Sequence, residues 1–319
     1  RSGIGGAAIL AGFTQSVWQL AAAIGLIGIF AAIYHPVGIA MLIKSNKRIG
    51  FRLGINGVFG NMGVAAAPLI AGILLTMGDW RLCFILPGIF CLGYGVAFIM
   101  ALREDGTPRV AASGTGRTGF APNWKLALGA MMLSTASGGF IFGAMTFVVP
   151  RYFEISMTSI STSVAITGLL ASLVYATASF TQIGIGWLID RFSPKWVLFS
   201  LGLGQILFIF LAAQYTDYAL FFAMLVAMSF VFGQIPITDT ILSRYVPDEW
   251  RAKALSVKFM LNLTIGATVL PICGVILQSG SPMSSLFTLM SAVAIVVALS
   301  GLMLPQQADD QRRDMMPAE

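Results

Sequence analysis

The chain has 319 residues, of which 57% are hydrophobic and 10% are charged, and its mean hydropathy is +0.86. A soluble domain is nearer half apolar and a quarter charged, so this composition excludes both an ordinary water-soluble enzyme and a disordered protein. The net charge of +6 would suit a nucleic-acid partner in a soluble protein, but here the basic residues lie in short loops, where they indicate membrane topology.

Ten apolar stretches follow one another along the chain, and each predicts a transmembrane helix, because lipid offers the backbone no other hydrogen-bond partners. They cover residues 2–19, 20–43, 53–77, 80–102, 124–149, 161–189, 196–213, 217–242, 254–278 and 284–304. The predicted fold class is an all-α membrane protein.

The lysines and arginines support these spans. When successive loops are placed on alternate sides of a membrane, 17 basic residues fall on one side and only Arg81 and Arg151 on the other. The basic side is expected to be the cytoplasm. We therefore expect an integral protein of a bacterial inner membrane with both termini in the cytoplasm.

A polar stretch divides the spans into two groups. Residues 103–123 are rich in Gly, Thr, Arg and Pro and predict a flexible cytoplasmic linker. It would join a partial N-terminal bundle, residues 1–102, to a six-helix C-terminal bundle, residues 124–304. Residues 305–319 are expected to form a polar cytoplasmic tail.

No metal or cofactor is expected. The three cysteines, Cys83, Cys91 and Cys273, lie in apolar runs without the spacing of metal ligands, and the chain has a single histidine.

Spans two and three are similar in sequence to spans eight and nine. FAAIYHPVGIAM, NKRIGFR and GNMGVAAAPLIAG in the first copy correspond to FVFGQIPITDTIL, VPDEWRAKA and LTIGATVLPICG in the second. Pro36 aligns with Pro236 and Pro68 with Pro271. Such repeats are typical of transporters, with chance similarity among Gly- and Pro-rich helices as the alternative.

The most specific motif is Gly186-Trp-Leu-Ile-Asp-Arg-Phe-Ser-Pro-Lys195, which follows span six. With the Gly- and Pro-rich third span and the basic residues Arg48 and Arg251, it resembles the major facilitator superfamily of secondary transporters. The signature of that family is a glycine, an Asp-Arg pair and a basic residue between helices eight and nine. The resemblance extends over the whole chain and implies a helical bundle of this family's type.

The chain departs from the family pattern in two ways. The family has twelve helices, and the ten spans align with helices three to twelve, so the chain is expected to be truncated at its N-terminus. Proton-driven exporters of the family often carry an arginine in helix four. Residues 21–42 contain none, which argues against an arginine-based proton switch.

The resemblance implies that Gly186, Asp190, Arg191 and Lys195 form part of a cytoplasmic gate. Asp190 would lie near the start of span three, where a helix N-terminus offers free amides and about half a positive charge. Arg52 is a further candidate partner for Asp190. The alternative is that Asp190 only caps a turn.

Two ionisable residues within spans are candidates for substrate or ion coupling. His35 lies about 13 Å from the basic loop, with a neutral, hydrogen-bonded histidine as the alternative. Asp239 lies about 7.5 Å from the basic edge, and its alternative is a solvated or arginine-paired residue at the interface. Lys258 is expected to extend its amine to the cytoplasm.

Prolines, glycines and polar residues in the spans suggest further roles. Pro36 and Pro236 are candidate hinges, because each removes a helix hydrogen bond. Glycines in spans three and nine are expected to permit close helix contacts: Gly60, Gly63 and Gly266. Candidate cavity residues, each with helix-to-helix hydrogen bonding as its alternative, are Asn56, Asn61, Ser134, Ser137, Tyr175, Gln182, Gln234 and Asn262.

The sequence therefore predicts a monomeric secondary transporter that moves a small solute across a lipid bilayer by alternating access. An ion gradient such as that of protons, or the solute's own gradient, would drive it. The sequence has no phosphate-binding loop, nucleophile elbow or zinc-protease helix, so neither a nucleotide-driven pump nor an enzyme is expected. The alternative is a receptor or scaffold that keeps the fold without transport.

Overall fold

The computed structural model describes residues 2–32, 49–105 and 119–305, and within these ranges the chain consists of helices joined by short connections. The helices are α1 (Ser2–Gly12), α2 (Val17–Ala32), α3 (Ile49–Thr76), α4 (Leu82–Asp105), α5 (Trp124–Ser156), α6 (Val164–Arg191), α7 (Pro194–Gln214), α8 (Asp217–Gly233), α9 (Ile235–Tyr245), α10 (Asp248–Gln278) and α11 (Ser284–Met303).

Within the described ranges, eight helical spans are long and apolar enough to cross a membrane. One of them, Asp217–Tyr245, combines α8 and α9, and α1 and α2 are shorter apolar helices. Each of the ten predicted spans thus contains at least one helix, which confirms the predicted all-α membrane class. The second predicted span continues into residues 33–43, which lie outside the described residues.

The chain divides into two compact units. The first comprises Arg1–Ile39 and Ile70–Thr115, and the second comprises Ala40–Leu69 and Gly116–Glu319. The second unit therefore contains residues 49–69 of α3 together with α5 to α11. The linker predicted at 103–123 falls largely outside the described residues and stays a prediction.

In the first unit, α1 packs closely on α4. A methyl group on Gly5 would meet the carbonyl oxygen of Gly88 at 2.7 Å, so the two backbones approach as only small residues allow. Nη2 of Arg81 donates a hydrogen bond to the carbonyl oxygen of Thr14 at 3.2 Å. This bond links the segment after α1 to the segment just before α4.

The second unit holds the larger core. Its fully buried side chains include Phe153, Tyr175, Phe232 and Phe287, while large apolar side chains on the outer faces of α7 and α10 are exposed. Apolar side chains thus lie both in the core and on the outer faces, as expected of helices whose outer faces contact lipid tails.

The eighth predicted span is broken. Helix α8 ends at Gly233 and α9 begins at Ile235, with Pro236 in the first turn of α9. Proline has no N–H and its ring clashes with the carbonyl four residues earlier, which favours an interruption here. Proline does not enforce one, because α3, α4, α5 and α10 each continue through an internal proline. The helix is interrupted beside Pro236, whose role as a hinge stays a prediction, and Pro36, the other candidate hinge, lies outside the described residues.

Candidate functional site

The carboxylate of Asp190 contacts the start of α3. Asp190 is the penultimate residue of α6, and its Oδ2 accepts a hydrogen bond from the backbone N–H of Phe51 at 3.0 Å. Helix α3 begins at Ile49, so this amide is one of the first-turn donors that have no partner inside the helix. The structure thus contains the contact between the end of span six and the start of span three that the sequence predicts.

The other residues of the signature surround this contact. Gly186 is buried one turn earlier in α6. Arg191 is exposed, and its guanidinium lies 4.0 Å from the ring centre of Trp187. Lys195 is half-buried in the first turn of α7, and Arg52 is exposed.

Arg244 holds the same end of α6 from another side. It lies in the last turn of α9, and its Nη2 donates to the carbonyl oxygen of Ile189. A cation is favourable at a helix C-terminus, where carbonyls have no helical partner. Sequence reasoning treated Arg244 only as a marker of topology. Its position in the last turn of the helix that follows Pro236 is the sequence feature that could have indicated this contact.

A second hydrogen bond fixes the direction of α3 along α6. The backbone N–H of Leu69 donates to Oγ of Ser172 at 3.1 Å. Leu69 follows Phe51 by 18 residues and Ser172 precedes Asp190 by 18 residues. The two helices are therefore antiparallel and in register over about 27 Å.

Glycines at the middle of this contact lie against Gln182 of α6. A methyl group on Gly54 would collide with the carbonyl oxygen of Gln182, and one on Gly57 would collide with its side-chain oxygen. A methyl group on Gly60 or Gly63 would meet nothing within 4 Å among the described residues. The close contact predicted at Gly60 and Gly63 is not made with any described residue and stays a prediction, whereas Gly54 and Gly57 face α6. Gly266 likewise has no described neighbour within 4 Å of an added methyl group, so its predicted contact also stays a prediction.

The amide of Gln182 is buried and has no hydrogen-bond partner among the described residues. Its side chain is fully buried, and neither Oε1 nor Nε2 has a hydrogen-bond partner among the described residues. Burying an amide in this way costs about 1–3 kcal/mol. The α3–α6 contact therefore includes one unfavourable group at its centre.

Asp239 and Lys258 form a buried ion pair. Nζ of Lys258 lies 2.5 Å from Oδ1 of Asp239, and the two side chains are 7% and 5% exposed, respectively. The expectation that Lys258 extends its amine to the cytoplasm is wrong, because the amine pairs with a carboxylate of the neighbouring helix. The alternative for Asp239, a solvated or arginine-paired residue, is also wrong, since the residue is buried and its partner is a lysine.

Several cavity candidates instead bond helix to helix. Nε2 of Gln234, at the break between α8 and α9, donates to Oγ of Ser134 at 2.8 Å. Nε2 of Gln205 donates to Oε1 of Gln234 at 2.9 Å. The hydroxyl of Tyr175 donates to the carbonyl oxygen of Thr146 at 3.2 Å. These contacts correspond to the predicted alternative of helix-to-helix bonding.

The remaining polar candidates differ in burial and in their contacts. Asn61 is 9% exposed and lies on the inner face of α3. Asn56 and Asn262 are half-buried, and Ser137 donates its hydroxyl to the carbonyl oxygen of Leu133 at 2.8 Å. The candidate His35 lies outside the described residues.

Comparison with known proteins identifies similar chains. A family model described as Major Facilitator Superfamily matches residues 2–158 and 153–314. The multidrug resistance protein MdtG of Proteus mirabilis (strain HI4320) is 27% identical over 210 residues, which are 64% of this chain and 52% of that protein. The matched part of this chain thus spans about half the length of that relative.

Solved structures share the fold. The fucose:proton symporter FucP of E. coli superimposes with a TM-score of 0.65 at 13% identity, covering 96% of this chain and 82% of that chain. The proton:xylose symporter XylE superimposes with a TM-score of 0.60 at 15% identity, covering 93% and 78%. At these identities the likeness concerns the fold.

Proposed function

This chain belongs to the major facilitator superfamily, and we propose that it acts as a secondary active transporter that carries a small solute across a membrane by alternating access. The membership agrees with the resemblance seen in the sequence and makes the chain an integral membrane protein of a transporter family, not of an enzyme family. The observation that carries the proposal is the hydrogen bond between Asp190 and the first turn of α3.

That hydrogen bond has the properties of a reversible gate. Alternating access needs contacts that hold one side closed and then release it. A carboxylate at a helix N-terminus contributes about 1 kcal/mol, which is small enough to be exchanged for water in each cycle. Helix α3 is among the first four predicted spans and α6 among the last six, so their separation would open a path between the two groups.

We assign ion coupling to the pair Asp239 and Lys258. A proton on Asp239 would remove the charge that compensates the buried ammonium of Lys258, so protonation would favour an arrangement of α9 and α10 in which that ammonium meets water or solute. Further charged residues at this end of the described part of the unit include Lys125 of α5, Asp190 and Arg191 of α6, Lys195 of α7, Arg244 of α9, and Asp248, Glu249, Arg251 and Lys253 of α10. FucP and XylE are proton symporters, which supports protons as the first ion to test.

The relatives suggest which solutes and which direction of transport to test first. MdtG is named a multidrug resistance protein, which supports drugs as candidate solutes, and the fucose and xylose symporters FucP and XylE support sugars. The asymmetric distribution of basic residues supports an inner-membrane location with the Asp190 end in the cytoplasm. We propose a monomer as the working unit.

Flux measurement tests the proposal. Purified protein in liposomes with an imposed pH gradient is assayed with a panel of lipophilic cations and of monosaccharides. We expect pH-gradient-dependent flux of at least one member, and a reduction of that flux in Asp190→Asn. Saturable binding of a solute without flux in any gradient would instead support the alternative of a receptor or scaffold.

A further inference from the structure

The buried charges of Asp239 and Lys258 compensate each other. Three charged side chains are buried among the described residues, and the third, Arg251, is held by Asp248 at 2.6 Å and by the carbonyl oxygen of Ser243 at 3.2 Å. In the described part of the chain, Asp239 is the only hydrogen-bond acceptor of the Lys258 ammonium. Loss of the charge on that carboxylate therefore leaves the ammonium in need of another anion.

The helices around the pair carry their other charges near their ends. Helices α5, α6, α7 and α8 pack against α9, and α5 also packs against α10. Their described charged residues lie within two turns of a helix end: Lys125, Arg151 and Glu154 of α5, Asp190 and Arg191 of α6, Lys195 of α7, Asp217 of α8, Arg244 of α9, and Asp248, Glu249, Arg251 and Lys253 of α10. The buried tyrosines donate their hydroxyls to backbone carbonyls: Tyr152, Tyr175 and Tyr245. Within the described residues, Asp239 is therefore the group at this depth that can take up a proton.

Asn262 adds a second hydrogen-bond donor beside Lys258. It lies one helical turn further along α10, on the same face. Its Oδ1 lies against Gly139 of α5, where an added methyl group would collide with it. The side-chain amide is half-buried and makes no hydrogen bond to the described residues. Because a polar group without a partner is costly against lipid tails, this position suits a path that admits water and solute.

We propose that the Lys258 ammonium binds the carboxylate of the transported solute, so that the substrates are small organic acids; this inference rests on the proposed transport function. A proton from the solvent neutralises Asp239 and ends its ion pair. The solute carboxylate then takes the acceptor position that Asp239 leaves at Nζ of Lys258, and Asn262 donates to its second oxygen.

Charge balance selects a carboxylate over other solutes. Before and after the exchange, the ammonium of Lys258 faces one negative charge, so the net charge of the site stays zero. A cationic solute is repelled by the ammonium, and a neutral solute leaves it without a counter-ion. The group that best replaces the carboxylate of Asp239 is another carboxylate.

Binding of matched solutes tests the proposal. The wild type and Asp239→Asn in neutral detergent are titrated with benzoate against benzamide and with glucuronate against glucose, and binding is measured from the shift in thermal unfolding. Asp239→Asn imitates the protonated state, so near neutral pH at least one carboxylate should bind to it about thirty-fold more tightly than to the wild type. In the wild type, the affinity for that carboxylate should rise by about ten-fold for each unit by which the pH is lowered, because one proton is taken up with it. The neutral partners should respond to neither change.

Two further variants locate the site. The double variant Asp239→Asn with Lys258→Met has no ammonium and should bind the carboxylate and its neutral partner equally and weakly. Lys253→Gln, which changes an exposed lysine of the same helix, should leave the carboxylate preference unchanged. A preference that persists in the double variant, or that Lys253→Gln abolishes, would overturn the site. If Asp239→Asn alone does not fold, the pH dependence of the wild type and its loss in the double variant decide the question.

Flux in liposomes separates this inference from the proposed function. Flux of neutral solutes driven by a pH gradient, without any preference for carboxylates in binding, would refute the inference and leave the transporter. Carboxylate binding that depends on Lys258, without flux in any gradient, would refute the transporter and keep the site.

Discussion

The side chain of Asp190 accepts a hydrogen bond from the backbone amide of Phe51, 139 positions away in the chain. With the bond between Leu69 and Ser172, it defines an antiparallel contact of α3 and α6 that is polar at both ends. Between these ends the contact contains two glycines and the amide of Gln182, which has no partner in the described part of the chain. This combination of weak end contacts and an unfavourable centre is suited to a contact that opens and closes.

Asp190→Asn should increase the open form of this contact about five-fold, because the neutral amide loses the attraction of about 1 kcal/mol to the helix N-terminus. Spin labels at the exposed positions 52 and 191 of a cysteine-free background would measure the distance between α3 and the end of α6. The expected result is a larger population at long distance, with little change in thermal stability.

Asp217→Asn is the matched control for that change. Asp217 is also an aspartate at a helix end, and its Oδ1 accepts the backbone N–H of Ser159 at 3.3 Å, far from α3 in sequence. Its replacement should leave the distance distribution of the labels as in the wild type. An unchanged distribution in Asp190→Asn as well would rule out a gating role for the signature aspartate.

Gln182→Met should stabilise the protein by about 1–3 kcal/mol, because it removes two buried polar atoms that have no described partner while keeping the side-chain volume. Gln205→Met is the control, since Gln205 is equally buried but donates to both Gln234 and Phe230. It should destabilise the protein. Thermal unfolding in detergent measures both, and a loss of stability in Gln182→Met would show that this amide is satisfied in the folded protein.

Gly54→Ala should separate α3 from α6, because the new methyl group would meet the backbone of Gln182, which has no rotamer to adjust. Overpacking of this kind costs about 1–3 kcal/mol. Gly60→Ala on the same helix meets no described atom within 4 Å and gains helix propensity, so it should be neutral or stabilising. The two variants are compared by thermal unfolding and by the same pair of labels; equal behaviour would argue against close packing at Gly54.

The sequence predicts those features that the bilayer itself imposes. The spans follow from the need to bond every backbone group, and the missing N–H of Pro236 favours a bend or break at that point. The contact between Asp190 and α3 followed from the resemblance together with the free amides of a helix start. Each of these features depends on a residue's own backbone chemistry or on a requirement that every membrane helix shares.

The sequence does not reveal how each helix is rotated about its own axis, and hence which of its residues face a neighbouring helix. Gly54, Gly57, Gly60 and Gly63 are equivalent as residues, and only the packing decides that the first two contact α6. Likewise, a lysine near a span end either reaches the headgroups or pairs with a neighbour. Lys258 pairs because α10 turns it toward Asp239, and nothing in the local sequence encodes that direction.

The pair of Asp239 and Lys258 gives the last prediction. Asp239→Asn leaves the ammonium of Lys258 buried without its counter-ion, which should destabilise the protein by about 3–5 kcal/mol. Replacing both residues, as Asp239→Asn with Lys258→Met, removes the uncompensated charge and should recover most of that loss. Unfolding free energies of the wild type, both single variants and the double variant form a complete thermodynamic cycle.

The same double variant separates stability from coupling. If the pair couples transport to protons, the double variant should be folded and still carry solute down its own gradient, but an imposed pH gradient should no longer drive accumulation. A purely structural ion pair predicts a different result, namely a folded double variant whose flux still follows the pH gradient. Because the wild type and the double variant are compared at similar stability, a change in the response to the pH gradient can be attributed to the lost charges of α9 and α10.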